Sequence, residues 1–210
     1  MITSLPNLLT ISRVAAIPVL VAMFYLDGDL WRWLACLLFT AAALTDFFDG
    51  YLARARQEQS AFGRFLDPIA DKLLVAAAIL MLVAFDRIAG LVVLPALIIL
   101  CREILVSGLR EFLAELNVGL PVSRLAKWKT TIQMVALGFL IVGESGPSLL
   151  PVQFIGEAGL WTAAALTLVT GYDYLRAAAH HVGPSAPPLT TRARPAAGPV
   201  ARPAGGEGRR

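Results

Sequence analysis

Six apolar stretches, each near the length of a bilayer crossing, divide this chain. They run over residues 8–26, 31–49, 68–85, 88–109, 130–142 and 154–175. A membrane-spanning helix needs about 20 mostly apolar residues. In lipid every backbone N–H and C=O must find its partner within the protein, so long apolar runs of this kind become helices. The fifth run is short and is expected to begin nearer Lys127, with its cations at the interface. The expected fold is therefore all-α, a polytopic membrane protein of six transmembrane helices. Composition agrees, with 57% hydrophobic and 16% charged residues, where soluble domains carry about a quarter charged residues.

The loops set the orientation. The turns at Asp27-Gly28-Asp29, at Asp86-Arg87 and between Gly143 and Pro151 are short and poor in cations. With the N-terminus in the cytoplasm, only Arg32 and Arg87 of the 18 Lys and Arg fall on the far side. The excess of cations on one side predicts both termini in the cytoplasm. In a membrane protein a net charge of +3 reports topology before it reports a nucleic-acid partner, and none is expected. Arg13 inside the first run, with no basic segment before it, argues against a cleavable signal peptide. Cys36 and Cys101 lie in apolar runs and are expected to behave as small hydrophobes.

Composition changes after Val182. Residues 183–210 are rich in Pro, Ala, Gly and Arg and lack the apolar content to order themselves. The expected organisation is a membrane domain over residues 1–182 and a disordered basic tail over 183–210.

The acidic residues stand in unusual company. Asp46 and Asp49 are three apart, and Asp67 and Asp71 are four apart, so each pair shares a helix face. The short loop between the second and third helices lets the four carboxylates converge at one end of the bundle. Four such charges beside apolar surface need neutralising. Oxygen-only donors suit Mg²⁺, Mn²⁺ or Ca²⁺ better than zinc. The bland alternative is a set of aspartates at solvated helix ends. Gly50 and Gly63 allow close approach, either of a phosphate or of a packed helix. Arg54, one turn past Asp49, suits a phosphate clamp or an interfacial anchor.

The spacing Asp46-x2-Asp49-Gly50-x2-Ala53-Arg54-x8-Gly63-x3-Asp67-x3-Asp71 places eight specified residues within 26 positions. It resembles, without departure, the signature of the CDP-alcohol phosphatidyltransferases, and the likeness covers about residues 1–180. The resemblance implies a six-helix, dimeric, metal-dependent enzyme of the inner (cytoplasmic) membrane, its site facing the cytoplasm. It implies two Mg²⁺ or Mn²⁺ ions held by Asp46, Asp49 and Asp67, with Asp71 in the metal site and acting as general base. Gly50, Ala53, Arg54 and Gly63 would accommodate the CDP portion of a CDP-diacylglycerol donor.

The acceptor is read from the cations. Arg102 and Arg110 are eight apart and roughly on one face, Glu103 and Arg110 are seven apart, and Lys127 and Lys129 follow on the next helix. Cations gathered near a catalytic site suit an acceptor that carries a phosphate, and topology anchoring is the alternative. The Arg102 to Glu111 stretch, Lys127-x-Lys129-Thr130-Thr131-x-Gln133-Met134 and the opening Pro6 to Arg13 resemble the bacterial members of the family that use sn-glycerol 3-phosphate. Those members make phosphatidylglycerophosphate and CMP. The resemblance makes Arg102, Arg110, Lys127 and Lys129 candidates for the acceptor phosphate. Asn7, Thr10 and Arg13 are candidates for the CDP side or the entrance, with capping and anchoring as alternatives.

Two other readings remain. Another acceptor, an inositol phosphate or phosphatidylglycerol, would keep the same site. A cation transporter would line its path with the four aspartates, but acids clustered at one end beside Arg54 fit it less well.

Overall fold

The computed structural model describes residues 5–56, 61–115 and 124–182. Within these, the side chains of residues 5–7, 46–56, 61–65, 67, 68, 115, 124, 173 and 177–182 are not described. All regular structure among the described residues is helical. The order is α1 (Leu5–Phe24), α2 (Asp29–Arg56), α3 (Ala61–Ala84), α4 (Val93–Glu115), α5 (Arg124–Val142) and α6 (Val152–Val182). One 3₁₀ turn (Gly90–Val92) leads into α4 and another (Gly143–Ser145) follows α5. Segments 90–114, 125–145 and 152–176 are long and apolar enough to cross a membrane, and 8–24 is a shorter apolar helix. Helices of this length and apolarity mark the chain as an integral membrane protein.

Several helices outrun their apolar stretches. α3 starts at Ala61, seven residues before the apolar run, and α2 continues to Arg56. Hydrophobicity marks where lipid begins, whereas backbone hydrogen bonding carries a helix on into the polar zone. Both aspartate pairs consequently lie within helices. The entry at Leu5 runs without a break into the first span.

The three short turns gather at one end of the bundle and are tied together there. Gly28 has φ +113°, a conformation that only glycine adopts readily, and it reverses the chain between α1 and α2. Ser145 Oγ donates to Asp29 Oδ1 at 2.5 Å, and Trp33 Nε1 donates to the Ser145 carbonyl at 3.1 Å. Arg87 donates to the Ile141 carbonyl at 2.6 Å, and Gln153 donates to the Arg87 carbonyl at 2.8 Å. The Arg87 guanidinium also lies 4.8 Å from the Phe24 ring centroid, and burial pushes its pKa below the ordinary value. These partners join the α1–α2, α3–α4 and α5–α6 connections into one polar cap.

Packing relies on small residues, as expected where lipid offers no hydrophobic drive between helices. Ala35, Ala42, Ala78, Ala96, Ala136, Ala163 and Ala164 are buried beside Phe39, Leu82, Ile99, Leu140 and Leu160. The most extensive pairing is α5 with α6. A Cβ on Gly156 would stand 2.7 Å from Leu140 Cγ, so glycine sets that close approach. α1 lies against both α2 and α3, whereas α2 and α3 touch each other sparsely among the described residues. α1 is thus the bridge between the helices that carry the aspartates.

Candidate active site

Helix register places the aspartates. Asp46 stands 17 residues along α2 from Asp29, about 26 Å of helix. Asp71 stands 13 residues before Ala84 on α3, about 20 Å. Both pairs therefore sit far from the capped turns, towards the opposite end of the bundle. Asp71 is the member with a described side chain; the side chains of Asp46, Asp49 and Asp67, and of Gly50, Ala53, Arg54 and Gly63, lie outside the described residues.

Asp71 is about 40% exposed and accepts a hydrogen bond on Oδ1 from Arg13 Nη1 at 2.5 Å. Arg13 is 1% exposed. Its long side chain is enclosed by the helices while its guanidinium meets the carboxylate. A buried guanidinium needs a charge partner, and Asp71 supplies one.

The pair opens onto a cavity of about 870 Å³. Its charged and polar wall is formed by Arg13, Asp71 and Lys72, by Glu103 and Arg110 of α4, and by Thr130, Thr131 and Gln133 of α5. From there it continues between α2 and α5 past Ala43, Phe39, Cys36 and Phe139 to Trp33 and Val142. It is a polar head joined to an apolar length, the shape of an amphiphile. Cys36 within it is half-buried, its thiol 3.6 Å from the Gly138 carbonyl.

The four basic acceptor candidates are placed differently. Arg110 lines the cavity with Asp71. Arg102 turns to α6, donating to Thr170 Oγ1 at 3.0 Å, with its guanidinium 5.7 Å from the Tyr174 ring centroid. Glu103 and Arg110 do share the cavity face, but Arg102 and Arg110 do not. At 100° per residue, an eight-residue separation misses by about 80° and a seven-residue separation by about 20°. Lys129 is 2% exposed and is ion-paired with Glu103. Lys127 is exposed near the start of α5.

The CDP-alcohol phosphatidyltransferase profile matches residues 3–169. The chain belongs to this family. Its relatives agree over most of its length. The chain is 52% identical over 174 residues to a protein of Rickettsia bellii, covering 83% of this chain and 94% of that one. It is 44% identical over 177 residues to a protein of Shigella flexneri, covering 83% and 94%. It is 40% identical over 210 residues to one from Cereibacter sphaeroides, covering 83% and 95%. Each of the three is named CDP-diacylglycerol–glycerol-3-phosphate 3-phosphatidyltransferase.

Enzymes of this family generally use divalent metal ions. The residue chemistry fits: Asp71 presents a hard oxygen donor to a cavity, and three more aspartates lie on α2 and α3 towards the same end. Among the described residues no group of three His, Cys, Asp or Glu comes together.

Several cavity residues carry no role in the sequence reading. Lys72, Thr130, Thr131 and Gln133 line the wall without having been assigned one. Lys129 and Gln133 sit four apart, a helical repeat of polar residues inside an apolar run. That signal was available in the sequence.

Proposed function

We propose that this chain transfers the phosphatidyl group of CDP-diacylglycerol to a hydroxyl of sn-glycerol 3-phosphate, giving phosphatidylglycerophosphate and CMP. The chain is a membrane transferase of phospholipid biosynthesis. The observation that carries the reading is the cavity, whose charged head at Asp71, Arg13 and Arg110 continues into an apolar length along α2 and α5. That form suits a donor whose acyl chains remain in apolar surroundings while its headgroup reaches polar side chains.

Asp71 takes the proton of the acceptor hydroxyl. The oxygen attacks the lipid-side phosphorus of the donor, the bond from that phosphorus to the bridging oxygen breaks, and CMP leaves with the electron pair. General-base assistance of this kind supplies about 10²–10⁴-fold. Arg13 orients the carboxylate for the transfer. Asp46, Asp49, Asp67 and Asp71 would hold divalent ions, two Mg²⁺ or Mn²⁺, whose contribution is to neutralise pyrophosphate charge. Gly50, Ala53, Arg54 and Gly63 receive the CDP portion. Arg110 meets the acceptor phosphate from within the cavity, Arg102 and Lys127 add positive potential towards the same end of the bundle, and Lys129, whose charge Glu103 offsets, fixes that carboxylate beside the acceptor.

The remaining architecture follows the same reading: six spans in the inner membrane, both termini and the site cytoplasmic, a homodimer, and a separate tail over residues 183–210. Guanidinium groups of Arg13 and Arg110 in the cavity wall disfavour a cation path.

The test is CMP release by purified protein in mixed micelles with CDP-diacylglycerol and Mg²⁺ or Mn²⁺. Glycerol 3-phosphate, inositol 3-phosphate and phosphatidylglycerol are offered separately. Release with glycerol 3-phosphate alone is expected. Turnover only with another acceptor overturns the acceptor, and no turnover with any overturns the reaction.

A further inference from the structure

We infer that Gln133 recognises the acceptor's second, non-reacting hydroxyl and so sets acceptor specificity; the inference rests on the reaction proposed above. Gln133 lies on α5 within the membrane-length apolar segment 125–145. It is 2% exposed, and its carboxamide oxygen has no hydrogen-bond partner. It also borders the cavity that contains Asp71 and Arg110. Burying an amide oxygen without a partner is unfavourable, and a leucine or methionine would fill the same volume without that cost. An amide held here is explained if a ligand completes it.

The neighbouring polar groups on α5 are already engaged. Lys129 is ion-paired with Glu103. The hydroxyls of Thr130 and Thr131 donate to the carbonyls of Ala126 and Lys127 on their own helix. Glu103 Oε1 is also buried outside any hydrogen bond but is ion-paired with Lys129, so among the described residues of this wall Gln133 holds the buried acceptor atom left without either kind of partner. A carboxamide oxygen needs a donor, which an alcohol has and a phosphate dianion lacks. The last side-chain torsion of glutamine is soft, so a turn about it presents the oxygen to the cavity.

The acceptor offers three polar features. Its phosphate suits Arg110, its reacting primary hydroxyl suits Asp71, and the hydroxyl on the central carbon is left for Gln133. A pocket that hydrogen-bonds a substrate hydroxyl rejects the analogue lacking it, because the protein group is then stranded.

The test compares kcat/KM for glycerol 3-phosphate and for 3-hydroxypropyl phosphate, which keeps the phosphate and the primary hydroxyl but lacks the central one. The wild-type chain, Gln133→Met and Gln133→Ala are assayed in mixed micelles with CDP-diacylglycerol. The ratio of the two substrates within one preparation cancels any loss of folded enzyme. The wild type is expected to prefer glycerol 3-phosphate by about tenfold or more. Both variants are expected to lose that preference, the ratio of the two kcat/KM values falling towards one. A wild type that does not discriminate, or variants that lose both substrates equally, overturns the role of Gln133 and leaves the reaction standing. A wild type inactive with glycerol 3-phosphate overturns the reaction itself, and that is seen before any variant is made.

Discussion

Arg13 on α1 holds Oδ1 of Asp71 on α3 at 2.5 Å, across 58 residues of chain. The contact lies where α1 packs against α3, and it delivers a buried guanidinium to the carboxylate that faces the cavity. Arg13→Ala removes a hydrogen bond between charged groups, of the kind that contributes about 1.5–3 kcal/mol. The expected result is a fall in kcat of roughly 10- to 100-fold. Arg13→Lys keeps the charge but not the planar fork, and should fall between. Both are read from CMP release at saturating substrates. A wild-type rate in Arg13→Ala would remove Arg13 from the mechanism.

Chelation with EDTA is expected to abolish CMP release, and added Mg²⁺ or Mn²⁺ to restore it. Zn²⁺ should restore least, since the aspartates of α2 and α3 offer only hard oxygen donors. Asp71→Asn at saturating metal should lower the rate by about 10²–10⁴. Turnover that survives exhaustive chelation would count against the metal reading.

The two arginines of α4 should separate in kinetics. Arg110→Gln, on the cavity wall, is expected to raise KM for glycerol 3-phosphate about tenfold, the loss of one charged contact. Its KM for CDP-diacylglycerol should hold. Arg102→Gln breaks contacts with Thr170 and Tyr174 of α6, so it should also lower the unfolding temperature in detergent. Equal kinetic effects with no loss of stability in Arg102→Gln would show that the difference in placement is immaterial.

Gly156→Ala probes the α5–α6 contact. The new methyl would stand 2.8 Å from Leu140 Cδ2 and 3.3 Å from the Ala136 carbonyl oxygen. Overpacking of this kind costs about 1–3 kcal/mol. A Tm lower by several degrees is expected, about 2–4 °C per kcal/mol at this chain length. KM values should be unchanged, because the contact lies away from Asp71. An unaltered Tm would mean that the two helices separate freely there.

The helices and the aspartate register were legible in the chain because both obey local rules. Apolar runs of bilayer length satisfy their backbone by becoming helices, and residues three or four apart share a face whatever the neighbours do. The family could likewise be read from eight residues between Asp46 and Asp71. Helix ends were less legible: α3 extends back to Ala61 because polar residues continue a hydrogen-bonded helix beyond the lipid. Only the tertiary structure decided which face meets which partner. Arg13 had capping, anchoring and donor binding open to it until the packing of α1 brought it to Asp71. Arg102 and Arg110 looked alike along α4, yet an offset of about 80° sends one to α6 and the other to the cavity. Sequence spacing sets angles around a single helix axis; the direction that faces a substrate is set by where the other helices stand.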